Sequence, residues 1–212
     1  SIIQAMIDKL ETLVPESTYH IYNRANGFDR LFLTDKNYLY FLEKYKQFIS
    51  PMADTFCYCL MPNHFHFLLR IKPENELRNF FDTKTTLSAT LRGYRTLEGS
   101  AQQKALSLLI SQQFSHLMNG YTQGLNKILN RKGSLFMHPY KRKKVSDTSY
   151  LTNLVKYIHL NPVEVGMVLN PEDWAHSSYS ALLKQENKLI NANEVISWFD
   201  SLENFKSFHA IP

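Results

Sequence analysis

The stretch FCYCLMPNHFHFLLRI, Phe56 to Ile71, limits the possible folds of this chain more than any other. Its aromatic and branched residues favour extended backbone. Pro62 and Asn63 at its centre supply turn chemistry, so the run reads as two short strands folded into a hairpin. In the second strand His64 and His66 stand two residues apart and project from one face, while Phe65 and Phe67 enter the other. Two imidazoles side by side are half of a metal site, and imidazole also suits proton transfer. The plain alternative is a pair of half-buried histidines bonded to backbone.

The flanking sequence says what the hairpin belongs to. Thr18 to Ala25 (TYHIYNRA) is rich in aromatics and runs into Asn26-Gly27, a strand followed by a turn. In TDKNYLYFLEKYKQFI, Thr34 or Asp35 caps a helix that carries Leu39, Phe41, Leu42, Tyr45 and Phe48 near helical spacing. Helical patterning returns from Glu76 to about Leu91 and from Ala101 to about Asn130. GSLFMHPYKRKKV is strand-like again, and SDTSYLTNLVKYIHLNP is a capped helix that Pro162 is expected to stop. The order β-α-β-β-α-β-α contains the split βαβ of a ferredoxin-like sheet. The expected fold is therefore α+β, with four antiparallel strands backed by helices.

At 212 residues the chain is long enough for one sizeable core. We expect a single domain over residues 1–212 with a core from about 18 to 183. Ser1 to Val14 reads as an amphipathic helix added in front, not a signal sequence, and NEVISWFDSLENFKSF as one helix appended behind. Apolar residues make up 44% and charged residues 20%, an ordinary globular balance, and no apolar run approaches a membrane span. A cytoplasmic location follows as the expectation, with Cys57 and Cys59 as buried thiols, because a disulfide between positions two apart on one strand is badly strained. The net charge of +5 and a pI near 9.1 fit a polyanionic partner.

The second informative stretch is KYIHLNPVEVG. Leu151, Leu154, Val155 and Ile158 form the stripe that must pack on a sheet, and at helical spacing Tyr157 lies about 110° from its centre, flanking the packed face. Asn161, four residues on, projects on the same side as Tyr157, whereas His159 falls on the opposite flank. Taken alone, Asn161 and Pro162 read as a helix stop and Tyr157 as one of 12 tyrosines at a core edge. Combined with His64 and His66 they describe something else. Two imidazole nitrogens and one amide oxygen suit Mg²⁺ or Mn²⁺ with open positions for phosphate oxygens, and a phenol beside such a site points to covalent phosphoryl transfer.

At these residues the chain resembles the HUH single-tyrosine transposases, particularly the group associated with repetitive extragenic palindromes. The resemblance runs from about Tyr19 to Tyr179 and is carried by MPNHFHFLL, YIHLNPV and WAHSSY (Trp174 to Tyr179), together with YHIYNRANG and RKGSLF. It implies His64, His66 and Asn161 as ligands of Mg²⁺ or Mn²⁺. It implies Tyr157 as the nucleophile that cuts single-stranded, hairpin-forming DNA, leaving a 5′-phosphotyrosine and a free 3′-OH. In some relatives the tyrosine helix serves a partner's site, so a homodimer and a monomer both fit.

The basic residues Lys127, Arg131, Lys132, Lys141, Arg142, Lys143 and Lys144 lie between the long helical stretch and the tyrosine helix and are candidates for phosphate contact. Tyr140 and Phe136 are candidates for stacking on unpaired bases. Tyr121 competes as nucleophile but lacks an amide at i+4, where Leu125 stands. Two rival readings keep part of this picture. One is a catalytically idle DNA-binding regulator of the same fold. The other is a zinc module built from Cys57, Cys59, His64 and His66, which a two-residue turn at Pro62 and Asn63 would bring to one face.

Overall fold

A computed structural model describes residues 11–83, 99–186 and 188–210. Four strands, β1 (Thr18–Arg24), β2 (Ala53–Met61), β3 (His64–Ile71) and β4 (Lys141–Val145), form one antiparallel sheet in the order β2-β3-β1-β4. Helix α1 (Asp35–Phe48) joins β1 to β2, and α2 (Glu74–Thr83) and α3 (Gly99–Leu129) lie between β3 and β4. β1 and β2 are thus split by β3, and β3 and β4 by β1, while β2 and β3 form the hairpin, which is the expected ferredoxin-like arrangement.

The sheet buries both faces. On one, Tyr19, Ile21, Phe65, Phe67 and Leu69 pack with α1 and α3 in a core dominated by rings; Tyr45 stacks on Phe67 at 4.2 Å between centroids. The close approach of α1 and α3 depends on Gly124, where a Cβ would fall 2.6 Å from the Tyr40 hydroxyl. On the other face, Cys57, Cys59, Leu68 and Val145 meet α4 (Thr148–Glu164) through Leu154, Val155 and Ile158, three of the four stripe residues. Leu151 packs at the edge.

Several expectations need correction. The tyrosine helix does not stop at Pro162 but runs to Glu164, because proline's fixed φ suits a helix and it removes only one donor; Gly166, at φ +71°, ends the turn. Leu39, expected on the buried face of α1, is 61% exposed, and Tyr38 takes its place. Of the helix expected over Ser1 to Val14, residues 1–10 lie outside the described residues and 11–14 are not helical. Positions 84–91 of the helix expected to reach Leu91 also lie outside them.

The C-terminal segment is not one appended helix. Short α5 (Tyr179–Leu183) is followed by α6 (Ala192–Ser197) and α7 (Leu202–His209), the last two separated by Asp200 at φ +65° and a fresh cap in which Ser201 accepts from the Asn204 N–H. Val195, Phe199 and Phe205 belong to the second core, and Glu194 makes a bidentate ion pair with Arg70 of β3. Among the described residues no helix is long and apolar enough to cross a membrane.

Candidate active site

The hairpin turns at Pro62 and Asn63 alone, so Met61 pairs with His64 and Cys59 with His66. On the other side of β3, Tyr22 pairs with His66 and Arg24 with His64. Paired residues share a face, so His64 and His66 project with His20, Tyr22 and Arg24 of β1 and with Lys141 and Lys143 of β4, which pair with Tyr22 and His20. Phe65 and Phe67 face the aromatic core, as their alternation requires.

Helix α4 crosses this face. Its Tyr157 ring stands edge-on to His66, 5.6 Å between centroids, and is 43% exposed. Both belong to one chain. Asn161 is buried, and its amide donates to the Tyr157 carbonyl at 3.2 Å, which turns Oδ1 toward His64 Nε2 at 3.1 Å. The far nitrogen of that ring, Nδ1, lies 2.7 Å from Asn63 Oδ1, so both ring nitrogens face amide oxygens and a neutral ring has one proton for the two. With that proton on Nδ1, at the shorter contact, Nε2 of His64 keeps its lone pair and meets Asn161 Oδ1 without a proton between them. A cation relieves that repulsion, and an N/O donor set of two imidazoles and an amide fits a small divalent ion with open positions.

His66 is held from behind. Its Nδ1 lies 2.9 Å from Nε2 of His20, and the two rings stack, with Tyr22 stacked on His20 at 4.7 Å. With the proton on His66 Nδ1 donated to His20, His66 Nε2 is a lone pair directed by a neighbour, the usual arrangement behind a ligating histidine. Burial lowers the His66 imidazole to about 3 and that of His20 to about 4. Burial also lowers His64, against the contact with Asn161. All three are neutral near pH 7, the form in which an imidazole can ligate.

Two clefts adjoin Tyr157. One, about 580 Å³, is bounded by Arg24, Asn63, His64, Met137, His138 and Lys141. The other, about 480 Å³, is bounded by His20, Lys143, Tyr150, Asn153 and Leu154. Tyr22, His66 and Tyr157 line both.

The basic residues divide by face. Lys141 and Lys143 reach the clefts, while Arg142 points to the opposite side and donates to Ser111 and Tyr140, 2.8 Å each. Arg131 is engaged by Asp29 and by the Gly133 and Ser134 carbonyls, a brace for the loop. Lys127, Lys132 and Lys144 are exposed but line neither cleft.

Stacking on DNA by Tyr140 and Phe136 is corrected by burial. Tyr140 is 6% exposed against Phe114, and Phe136 1% exposed against Phe41, Phe65 and Tyr121, so their ring faces are already covered. Tyr121 is buried as well and donates to the Leu31 carbonyl, out of reach of a phosphate.

The zinc module is also disfavoured. Cys59 does pair with His66, but burial pushes both thiols up, away from the thiolate that zinc needs, and among the described residues no three His, Cys, Asp or Glu side chains converge as a metal cluster.

His20, Tyr22 and Arg24 were missed. The alternation in YHIYNR could have flagged them as one face, but only the register with β3 tells which face that is.

WAHSSY is a brace. Trp174 Nε1 donates to the Leu60 carbonyl at 3.0 Å, and Ser178 Oγ accepts from the Tyr58 N–H at 2.9 Å, fixing the chain along β2. Behind α4 a relay runs in one direction: Ser178 donates to His159 Nε2 (2.9 Å), His159 Nδ1 to His209 Nε2 (3.1 Å), and His209 Nδ1 to the Phe205 carbonyl (2.8 Å). His159 thus serves the C-terminal helix and not the site, in line with its position on the opposite flank.

No family model matches the chain, and no curated protein matches it in sequence. Among solved structures it is similar to a REP-associated tyrosine transposase bound to a REP hairpin, with a TM-score of 0.54 and 13% identity over 88% of this chain and 90% of that one. The four-stranded antiparallel sheet with its helices is therefore a fold shared with that transposase.

Proposed function

We propose that this protein is a metal-dependent, transposase-type enzyme that nicks and rejoins single-stranded DNA next to hairpins, through a phosphotyrosine on Tyr157. The observation that carries the reading is the convergence of His64 Nε2 and Asn161 Oδ1 at 3.1 Å on a helix that sets Tyr157 edge-on to His66. The similar transposase was solved with a DNA hairpin, which supports DNA of that form as substrate.

His64, His66 and Asn161 would hold Mg²⁺ or Mn²⁺, which when bound polarises a phosphate oxygen and lowers the barrier to attack. The chain's own residues do the rest. Asn161 ties its amide to the Tyr157 carbonyl, so ligand and nucleophile move together. His20 holds the His66 ring in place, and Lys141 and Lys143 flank the nucleophile with charges that suit a phosphate backbone. Tyr157 Oη gives up its proton and forms a bond to phosphorus, the bond from phosphorus to the 3′ oxygen breaks, and that oxygen takes up a proton, so no net proton is gained or lost. One phosphodiester is exchanged for another, so the reaction reverses without ATP. The position of Tyr157 beside its own chain's His66 supports a site completed within one copy.

The test is to incubate the protein with hairpin-bearing single strands and Mg²⁺ or Mn²⁺ and look for a covalent protein–DNA adduct. Tyr157→Phe should abolish it and Tyr121→Phe should not. An adduct that survives Tyr157→Phe would move the nucleophile to another residue, and binding with no adduct under any metal would replace this reading by that of an idle DNA-binding regulator.

A further inference from the structure

Tyr157 is a ridge between two clefts, and only one of them touches His64. The second lies toward the N-terminus of α4, between that helix and the β1–β4 edge, where Tyr150, Asn153 and Tyr157 recur at helical spacing along one side. Its walls are unusual for a surface groove. The stacked pair His20 and Tyr22 provides an aromatic wall, Tyr150 is 41% exposed, and Lys143 lies over the Tyr150 ring at 5.4 Å. Among the described residues no acidic side chain lines it. Asn153 spends one amide hydrogen on the Ser149 carbonyl, leaving its second N–H and Oδ1 available.

A strand cut at an internal phosphate continues in both directions from the phosphorus that Tyr157 attacks, so it needs room on both sides of the scissile bond. The His64 cleft accounts for one side. We propose that the second cleft, bounded by Lys143, Tyr150, Asn153 and Leu154, holds an unpaired nucleobase of the strand on the other side, with Lys143 on its backbone. The volume of about 480 Å³ accommodates one base, the rings offer stacking surface, and the Asn153 amide meets a base edge. This proposal rests on the nicking reading for its substrate but not for its test, which measures binding alone.

The probes are fluorescein-labelled dT12 and a twelve-residue deoxyribose phosphate chain of the same charge without bases, titrated with the Tyr157→Phe protein. Background Tyr157→Phe should prefer dT12. Adding Tyr150→Ala or Asn153→Ala should cut that preference by about fivefold or more and leave the base-free chain bound as before. Lys143→Ala should weaken both probes together and lower the salt slope by about 0.7. Tyr150, Asn153 and Lys143 are solvent-exposed, so the variants keep the fold, which thermal unfolding checks. The proposal is overturned if both cleft variants leave the preference unchanged, or if they weaken the two probes equally. Absence of a covalent adduct in the unaltered protein is a separate result: it removes the nicking reading and leaves the base preference to be judged alone.

Discussion

Two histidine pairs sit on either side of α4, and they are alike in almost every local respect. His20 and His66 are 2.9 Å apart, His159 and His209 3.1 Å; all four are buried, and burial lowers all four imidazoles. The difference is what remains. In the His159 pair every ring nitrogen is used, by Ser178, by the partner ring and by the Phe205 carbonyl. In the His66 pair one ring's Nε2 has no hydrogen-bond partner among the described residues, beside two clefts and an exposed tyrosine. A histidine pair whose bonds are all satisfied locks a helix in place, whereas one with a lone pair to spare next to a cleft can do chemistry.

The largest expected effect breaks the comparison at its functional end. His66→Ala should lower adduct formation with Mn²⁺ by at least about a hundredfold, or roughly 2.7 kcal/mol, because ligand loss should exceed the 10–100-fold typical of outer partners. Its melting temperature should stay close to that of the parent protein, and a collapse of the fold would instead make His66 a structural residue.

Next comes the structural pair. His159→Ala leaves His209 Nε2 buried without its partner and should cost about 1–3 kcal/mol in denaturant unfolding, while the Ser178 hydroxyl keeps its contacts with Tyr58. Its adduct yield per folded molecule should change little, and a loss as large as that of His66→Ala would erase the distinction.

His20→Ala tests the orienting contact itself. Calorimetric titration with Mn²⁺ should show about tenfold weaker binding, with part of the loss restored by His20→Gln, whose amide oxygen can accept from Nδ1.

The smallest effect concerns acidity. His209, lowered to about 4 by burial, binds its proton more weakly folded than unfolded, where the value is near 6.5. Its contribution is therefore whole above about pH 6.5 and drains away as pH falls toward 4, on the order of 1 kcal/mol by pH 5.5. Unfolding curves between pH 7 and 5 should show that loss, and His209→Phe should make the fall shallower by its share while His20, His66 and His159, lowered in the same way, keep the rest.

Much of the molecule was legible in the chain. Alternation in HFHFLLRI, the turn at Pro62 and Asn63, and the stripe of α4 specify the hairpin, the split sheet and the side of α4 that carries Tyr157 and Asn161, because periods of 2 and 3.6 residues decide which side chains share a face. Composition and spacing could not say that Tyr140 and Phe136 are enclosed, since an aromatic beside lysines reads the same whether it meets DNA or a core. They also missed His20, and they took two short helices at the C-terminus for one.

These gaps have one physical origin. Local sequence determines backbone preference and face, and that sufficed here for the strand order, the paired histidines on β3 and the Tyr157–Asn161 spacing on α4. Which faces meet is decided by register and packing between segments far apart in the chain: β1 on β3 puts His20 behind His66, and α4 on the sheet brings Asn161 to His64. Those contacts join residues 46 and 97 positions apart, and only the burial of a shared core brings such residues within a hydrogen bond of one another.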